Sequence, residues 1–195
     1  QPEFDGRDDF QGRWVHPQFW PEDLDYKGKK VIVIGSGATA MTLVPSMAND
    51  AEKVTMVQRS PTYVVSRPSV DKVANFLRKV LPSSWAYGLV RFRNTLWQQL
   101  IYNQTRSNPD RVAQNLLGEV EKAVGDVVDV KKHFTPTYNP WDQRLCLVPD
   151  DDLFTALRSG KADVVTDTIA HVDADGLVTG SGEHIDADII VSATG

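Results

Sequence analysis

Val31 to Ile34 form an unbroken β-branched run, the pattern of a strand buried on both faces of a parallel sheet. A second strand signal, Val54 to Val57, follows at the distance a strand–helix–strand unit requires. Between them Met41, Leu43, Val44 and Met47 mark the apolar side of a helix, with Pro45 expected near its first turn, where a missing N–H costs little. From residue 69 to 128 the texture changes. Val73, Phe76, Leu77, Val80 and Leu81 fall at helical spacing. So do Leu89, Val90, Phe92, Leu96, Trp97, Leu100 and Ile101, and then Val112, Leu116, Leu117, Val120 and Val124. Pro82 and Pro109 punctuate this stretch, which predicts an insertion of three or four helices whose aromatic rings serve packing. Strand signals return at Val164 to Thr166. They continue through a hairpin-like section with turns at Asp173-Ala174-Asp175-Gly176 and Gly180-Ser181-Gly182, and close on Ile189 to Ser192. The pattern predicts an α/β fold: a Rossmann-like parallel sheet with a helical insertion and a small β-meander.

One stretch fits neither period. FQGRWVHPQFWP, residues 10–21, holds five aromatic or imidazole rings, and Pro17 and Pro21 argue against regular structure through it.

Composition narrows the chemistry. The chain has 195 residues and a net charge of −5, which leaves no basic footprint for nucleic acid. No apolar run approaches the roughly 18 residues of a membrane span. The single cysteine, Cys146, excludes an internal disulfide and suits a reducing, cytoplasmic compartment. His16, His133, His171 and His184 are scattered without ligand spacing, so no metal site is expected. The sequence opens without methionine and ends in DIIVSATG, a strand running into a glycine turn, as a segment of a longer chain would.

The densest chemical signal is Gly35-Ser36-Gly37-Ala38-Thr39-Ala40, a G-x-G-x-x-A turn between the first strand and its helix. Gly35 permits the tight turn, Gly37 lets backbone N–H groups approach a pyrophosphate, and Ala40 lets helix and strand pack closely. The helix N-terminus then faces the anion. The second strand ends in Gln58-Arg59-Ser60, with no acid to accept from a ribose 2′-hydroxyl. Arg59 offers a donor fork suited to a 2′-phosphate and Ser60 a hydroxyl, which points to NADP(H) over NAD(H). The competing reading of Arg59 is a solvated arginine at a strand end.

Phe10-x-Gly12-x-x-x-His16-x-x-x-Trp20-Pro21, placed just before the glycine turn, resembles the fingerprint of the Baeyer–Villiger monooxygenases. The runs HPQFWPEDLDYKGKK, VQRSPTYVVS and YNPWDQRLCLVPDDDLF extend the resemblance over nearly the whole chain. It implies the second dinucleotide-binding domain of a two-dinucleotide-fold flavoprotein. Residues 1–28 would be an interdomain linker, 29–68 with 129–195 the NADP-binding domain, and 69–128 the helical insertion. His16 would orient by hydrogen bonding rather than transfer protons. The parent protein would use NADPH, FAD and O2 to insert oxygen beside a ketone carbonyl through a flavin C4a-peroxide. Arg144, in Asp142-Gln143-Arg144, matches the arginine that stabilises the anionic oxygen, although sequence alone would pair it with Asp142 or Asp150. Gln143 stands where many members carry a lysine for the 2′-phosphate, which leaves more of that task to Arg59 and Ser60.

Ala193-Thr194-Gly195 matches the motif at which the family's chain returns to its FAD domain, and no second G-x-G-x-x-G is present. The FAD domain of the same parent chain is therefore the expected partner, and the segment by itself is expected to be inactive. One cysteine excludes a disulfide reductase, and the Tyr26/Lys30 pair precedes the glycine turn, unlike a short-chain dehydrogenase. Two alternatives remain: a sulfur- or nitrogen-oxidising flavin monooxygenase acting on a sulfide, and a non-catalytic NADP(H)-sensing or interaction module.

Overall fold

The computed structural model describes residues 2–194, so Gly195 of the terminal Ala-Thr-Gly lies outside it. The continuous apolar runs form the middle of a five-stranded parallel sheet. Its strands are β1 (Arg13–Val15), β2 (Lys30–Ile34), β3 (Lys53–Gln58), β6 (Ala162–Thr166) and β10 (Ile189–Ser192), in spatial order β1-β10-β2-β3-β6. From β2 the chain steps outward to β3 and β6, then returns on the other side of β2 as β10. That reversal opens a crevice beyond the carboxyl ends of β2 and β10, where open parallel sheets take their ligands.

The two-residue period of the strands sorts their side chains into two cores. Val31, Val33, Ile189 and Val191 face α1 (Ala38–Ala48) and α6 (Asp152–Arg158), while Ile32, Ile34 and Ile190 face the opposite layer. That layer is an antiparallel meander of β7 (Ile169–Val172), β8 (Gly176–Thr179) and β9 (His184–Asp186), with Val172 and Leu177 in the shared core.

Four features depart from the sequence reading. Residues 13–15, expected without regular structure, form edge strand β1, paired Arg13 to Ile189 and Val15 to Val191. Three residues are too few for a period to show, and the pairing partner lies far away in sequence. Pro45 lies well inside α1 rather than near its first turn. There it removes an internal hydrogen bond, but the ring is buried, so packing offsets the loss. A parallel pair, β4 (Tyr63–Arg67) with β5 (Leu145–Pro149), brackets the insertion where no strand was expected.

The insertion has three main helices, α2 (Lys72–Val80), α3 (Ser83–Ser107) and α4 (Pro109–Val124), followed by the short α5 (Val130–His133). Pro82 caps α3 and Pro109 opens α4, as the punctuation predicts. The packing role expected of the aromatic residues does not hold within the described residues. In α2 only Ala74 is buried, and in α3 only Ala86 and Thr105, whereas Phe76, Trp85, Tyr87, Phe92 and Trp97 are exposed. A helical period locates an apolar face without saying what covers it.

Two glycines of opposite character give a test of this packing. A Cβ on Gly12 would lie 2.3 Å from the Asp188 carbonyl oxygen and 2.5 Å from the Phe10 ring, whereas one on Gly118 meets nothing within 4 Å. Gly12→Ala is expected to lower stability by about 1–3 kcal/mol through overpacking. Gly118→Ala, inside α4, is expected to raise it by about 1 kcal/mol through helix propensity. Urea denaturation midpoints of the two variants check both signs.

Candidate functional site

The glycine turn is fixed by its neighbours. Gly35 has φ +132, donates its N–H to the Val57 carbonyl at 2.8 Å, and leaves a would-be Cβ only 2.9 Å from the Ala193 oxygen. An L side chain there meets both strain and backbone. Ser36 is buried, and its hydroxyl donates to the Ser60 carbonyl at 3.2 Å, tying the turn to the end of β3. Gly37 stands at the N-cap of α1 with no side-chain cap, so the first N–H groups of that helix have no side-chain acceptor. Ala38 and Thr39 are exposed in the first turn, while Ala40 is fully buried where helix and strand pack together.

Gly35, Ser36, Gly37, Arg59, Ser60 and Arg144 line one cavity of about 610 Å³ at the switch point of the sheet. The nearest heavy atom to a Cβ placed on Gly37 would be Nη1 of Arg144, at 4.0 Å. The arginine therefore stands over the glycine turn. Asp142 is instead held by Arg106 at 2.6 Å and Asp150 by the Ser69 N–H at 3.0 Å. Neither Arg59 nor Arg144 has a carboxylate partner among the described residues. Two free guanidinium groups and an uncapped helix N-terminus share this space, a constellation suited to a polyanion.

The segment carrying Arg144 is anchored by aromatic residues. The Tyr138 hydroxyl donates to the Arg144 carbonyl at 2.8 Å, and its ring meets buried Tyr63 edge-on at 5.5 Å. Trp141 adopts φ +71 and packs edge-on against Tyr102 of α3 at 6.5 Å.

Other cavity residues were not anticipated. Glu3, Phe4, Asp167 and Thr168, which belong to no readable motif, also line it, as does Thr194 of the terminal Ala-Thr-Gly. The Asp167 carboxyl is held down to about 2, first by the Ser181 side chain and N–H and then by the Thr168 N–H. Beneath the end of β3, buried Gln58 donates to the His133 carbonyl at 2.7 Å and to the Thr166 hydroxyl at 2.9 Å. That hydroxyl also meets His133 Nδ1 at 2.8 Å. Burial, with Lys132 second, pushes the His133 pKa below its ordinary value.

Gln143 is exposed and does not line the cavity, nor do Phe10, Gly12, His16, Trp20 and Pro21. Phe10 is buried under the meander, and Trp20 packs on the helical side of the sheet. His16 Nδ1 accepts the Gln18 N–H at 3.2 Å, capping the 3-10 turn Pro17–Phe19. Gly12 lines a separate depression at the amino ends of the strands, with Asp25, Glu52, Asp186 and Asp188. Arg13, Lys29, Lys30 and Asp175 line it as well, so both signs of charge are mixed there.

Residues 1–103 match the model of the flavin-binding monooxygenase-like family. The whole chain is 56% identical, over 196 aligned positions, to the "Probable FAD-binding monooxygenase AlmA" of Acinetobacter baylyi, covering 39% of that protein. It is 52% identical over 195 positions to the FAD-containing monooxygenase EthA of Mycobacterium tuberculosis, covering 40%. The chain thus spans about two-fifths of the length of these curated relatives. Among solved structures, an oxidized steroid monooxygenase bound to NADP superposes with a TM-score of 0.77 at 25% identity, over all of this chain and 44% of that one. Cyclohexanone monooxygenase from Rhodococcus sp. Phi1 bound to NADP+ shares the fold with a TM-score of 0.71 at 20% identity, again over all of this chain and 44% of that one.

The His133 cluster predicts a pH dependence. With its folded pKa depressed, the unfolded chain binds more protons below the ordinary histidine pKa of about 6.5. Stability is full above that value and falls as the pH drops from it toward the depressed pKa. Thermal melts across pH 5–7 should show this slope, and His133→Asn should flatten it.

Proposed function

The chain belongs to the flavin-binding monooxygenase-like family, and on that premise we propose that it is the NADP(H)-binding segment of a Baeyer–Villiger-type oxygenase. The observation that carries the proposal is the shared cavity, where unpaired Arg59 and Arg144 meet the uncapped N-terminus of α1. The residues fit the cofactor. The first N–H groups of α1 would take the pyrophosphate, whose approach Gly37 leaves open. Arg59, with Ser60, would take the 2′-phosphate at the end of β3. Gln143, which adjoins Arg144, does not line the cavity, so the 2′-phosphate falls chiefly to Arg59 and Ser60 in this reading.

FAD, held by the remainder of the parent protein, would take hydride from NADPH and activate O2. What this chain supplies is placement and charge. Arg144 is a permanent cation fixed above the glycine turn, available to stabilise negative charge on oxygen as it develops. Trp20 in the fingerprint and the position of Arg144 support a ketone substrate over a sulfide or amine. Residues 1–28 would serve as the link to the FAD domain, with 69–128 inserted in the NADP domain formed by 29–68 and 129–195. The single buried cysteine accords with a cytoplasmic setting.

Two substitutions in the full-length protein separate these roles. Arg59→Ala should weaken NADPH binding by roughly 10–100-fold and leave NADH binding unchanged, as expected for a lost charge-assisted contact. Arg144→Ala should lower ketone oxygenation by about 100-fold or more, while NADPH still bleaches the flavin absorbance. Equal weakening of both nicotinamide cofactors by Arg59→Ala would remove the 2′-phosphate assignment. Unchanged product formation in Arg144→Ala would remove the role given to that arginine.

A further inference from the structure

Gln58 is an amide at a place in β3 where the strand is otherwise apolar and buried. It is 1% exposed and stands directly before Arg59. Both of its N–H groups are used, since Nε2 donates to the His133 carbonyl at 2.7 Å and to the Thr166 hydroxyl at 2.9 Å. Thr166 is its register partner on β6, so the two side chains leave the sheet on the same face. The Thr166 hydroxyl, accepting from Gln58, has its own proton to give to His133 Nδ1 at 2.8 Å. Burial pushes the His133 pKa down, which keeps the ring neutral and able to accept.

The arrangement is not the most stable way to fill this space. Gln58 Oε1 is buried with no partner among the described residues. Turning the amide over would set that oxygen against the His133 carbonyl, which can only accept, so its orientation is fixed. A leucine or methionine would bury no polar atom of its own there. What the amide provides is position. It joins the ends of β3 and β6 to His133, the last residue of α5, which follows the inserted helices. Its own carbonyl accepts the Asp167 N–H at 2.9 Å, and the Ser60 carbonyl accepts the Ser36 hydroxyl at 3.2 Å. The backbone on both sides of Arg59 is thereby held, although the arginine side chain is exposed. Every member of this network belongs to the chain itself, and Gln58 is already buried within it.

We propose that Gln58, through Thr166 and His133, is a positioning residue that sets Arg59 for recognition of the 2′-phosphate. This role rests on the assignment of Arg59 to that phosphate and adds what holds the arginine in place. Val57 and Arg59 line the cavity, and Gln58 between them does not, so Gln58 touches no cofactor and acts through the backbone. A guanidinium on a long exposed stem makes a well-aligned charge-assisted contact only when its base is fixed. NADPH and NADH share every group except the 2′-phosphate. A displaced Arg59 therefore loses selectivity between the two cofactors and leaves their common binding intact.

The test is anaerobic flavin reduction in the full-length protein with FAD bound, titrated with NADPH and with NADH to give an apparent Kd for each. Gln58→Leu is expected to raise the Kd for NADPH about tenfold, a large part of one charge-assisted contact, with that for NADH unchanged. Thr166→Val should lower selectivity in the same way, and Thr166→Ser, which keeps the hydroxyl, should retain it. These two variants carry the test if Gln58→Leu does not fold. Because Gln58 acts through Arg59, the double variant Gln58→Leu/Arg59→Ala should be no less selective than Arg59→Ala alone. A merely structural role predicts weaker binding of both cofactors by the same factor, and that result overturns the proposal. So does unchanged selectivity in Gln58→Leu and Thr166→Val while Arg59→Ala loses it, an outcome that leaves the 2′-phosphate assignment standing. If Arg59→Ala itself keeps its selectivity, both fall.

Discussion

The close approach of Gly35 to Ala193 is the contact on which the rest of the site depends. Gly35 donates to Val57 on one side, and Ala193 donates to the Ile34 carbonyl on the other, both within 2.9 Å. The ends of β3, β2 and β10 are thereby locked together at one level. Only a residue without a Cβ can hold φ +132 against the Ala193 carbonyl. Because the chain turns sharply there, α1 begins over the crevice with its N–H groups facing into it. A side chain at Gly35 would have to move either the turn or β10, and β10 is buried along its whole length.

Given that frame, Arg144 is set in place by contacts that each contribute little to stability. Exposed ion pairs are worth about 0–1 kcal/mol, so the Arg106–Asp142 pair matters for where it holds the loop. The Tyr138 hydrogen bond fixes the Arg144 carbonyl, the parallel pairing of β5 with β4 fixes the residues after it, and Trp141 bends the chain before it. Together they aim one guanidinium at the glycine turn and leave its charge uncompensated. Two of these restraints, Arg106 and Tyr102, come from α3, so the inserted helices reach the site through the loop they brace.

What the sequence made legible follows from how local each signal is. The strand–turn–helix around Gly35 is contiguous, and its glycine spacing states its own geometry. Arg59 was readable for the same reason, since it stands at the end of the strand after that helix. Arg144 was found only through resemblance, because no local pattern separates it from an arginine paired with Asp142. Asp167 and Thr168 reach the cavity by strand order, which no short window contains. The β1 strand was missed because its pairing partner, β10, lies more than 170 residues away. Most instructive are Phe92 and Trp97, both exposed on α3. Their helical spacing was read correctly, yet periodicity reports that a face is apolar and is silent on whether the same chain buries it.

The distribution of charge joins the fold to its function. A chain of net −5 could pair all its arginines, and many are paired at the surface. Among the arginines without a carboxylate partner in the described residues, Arg59 and Arg144 line one cavity beside the positive end of a helix dipole. Both arginines are exposed, so solvent screens much of the repulsion between them and their cost is small. A bound polyanion would relieve that cost at three points at once. Two acids line the cavity, Glu3 and Asp167, and the second is engaged by the backbone. Asp167 engages its carboxylate with the Ser181 and Thr168 N–H groups, which turns its charge inward to hold the loop after β6.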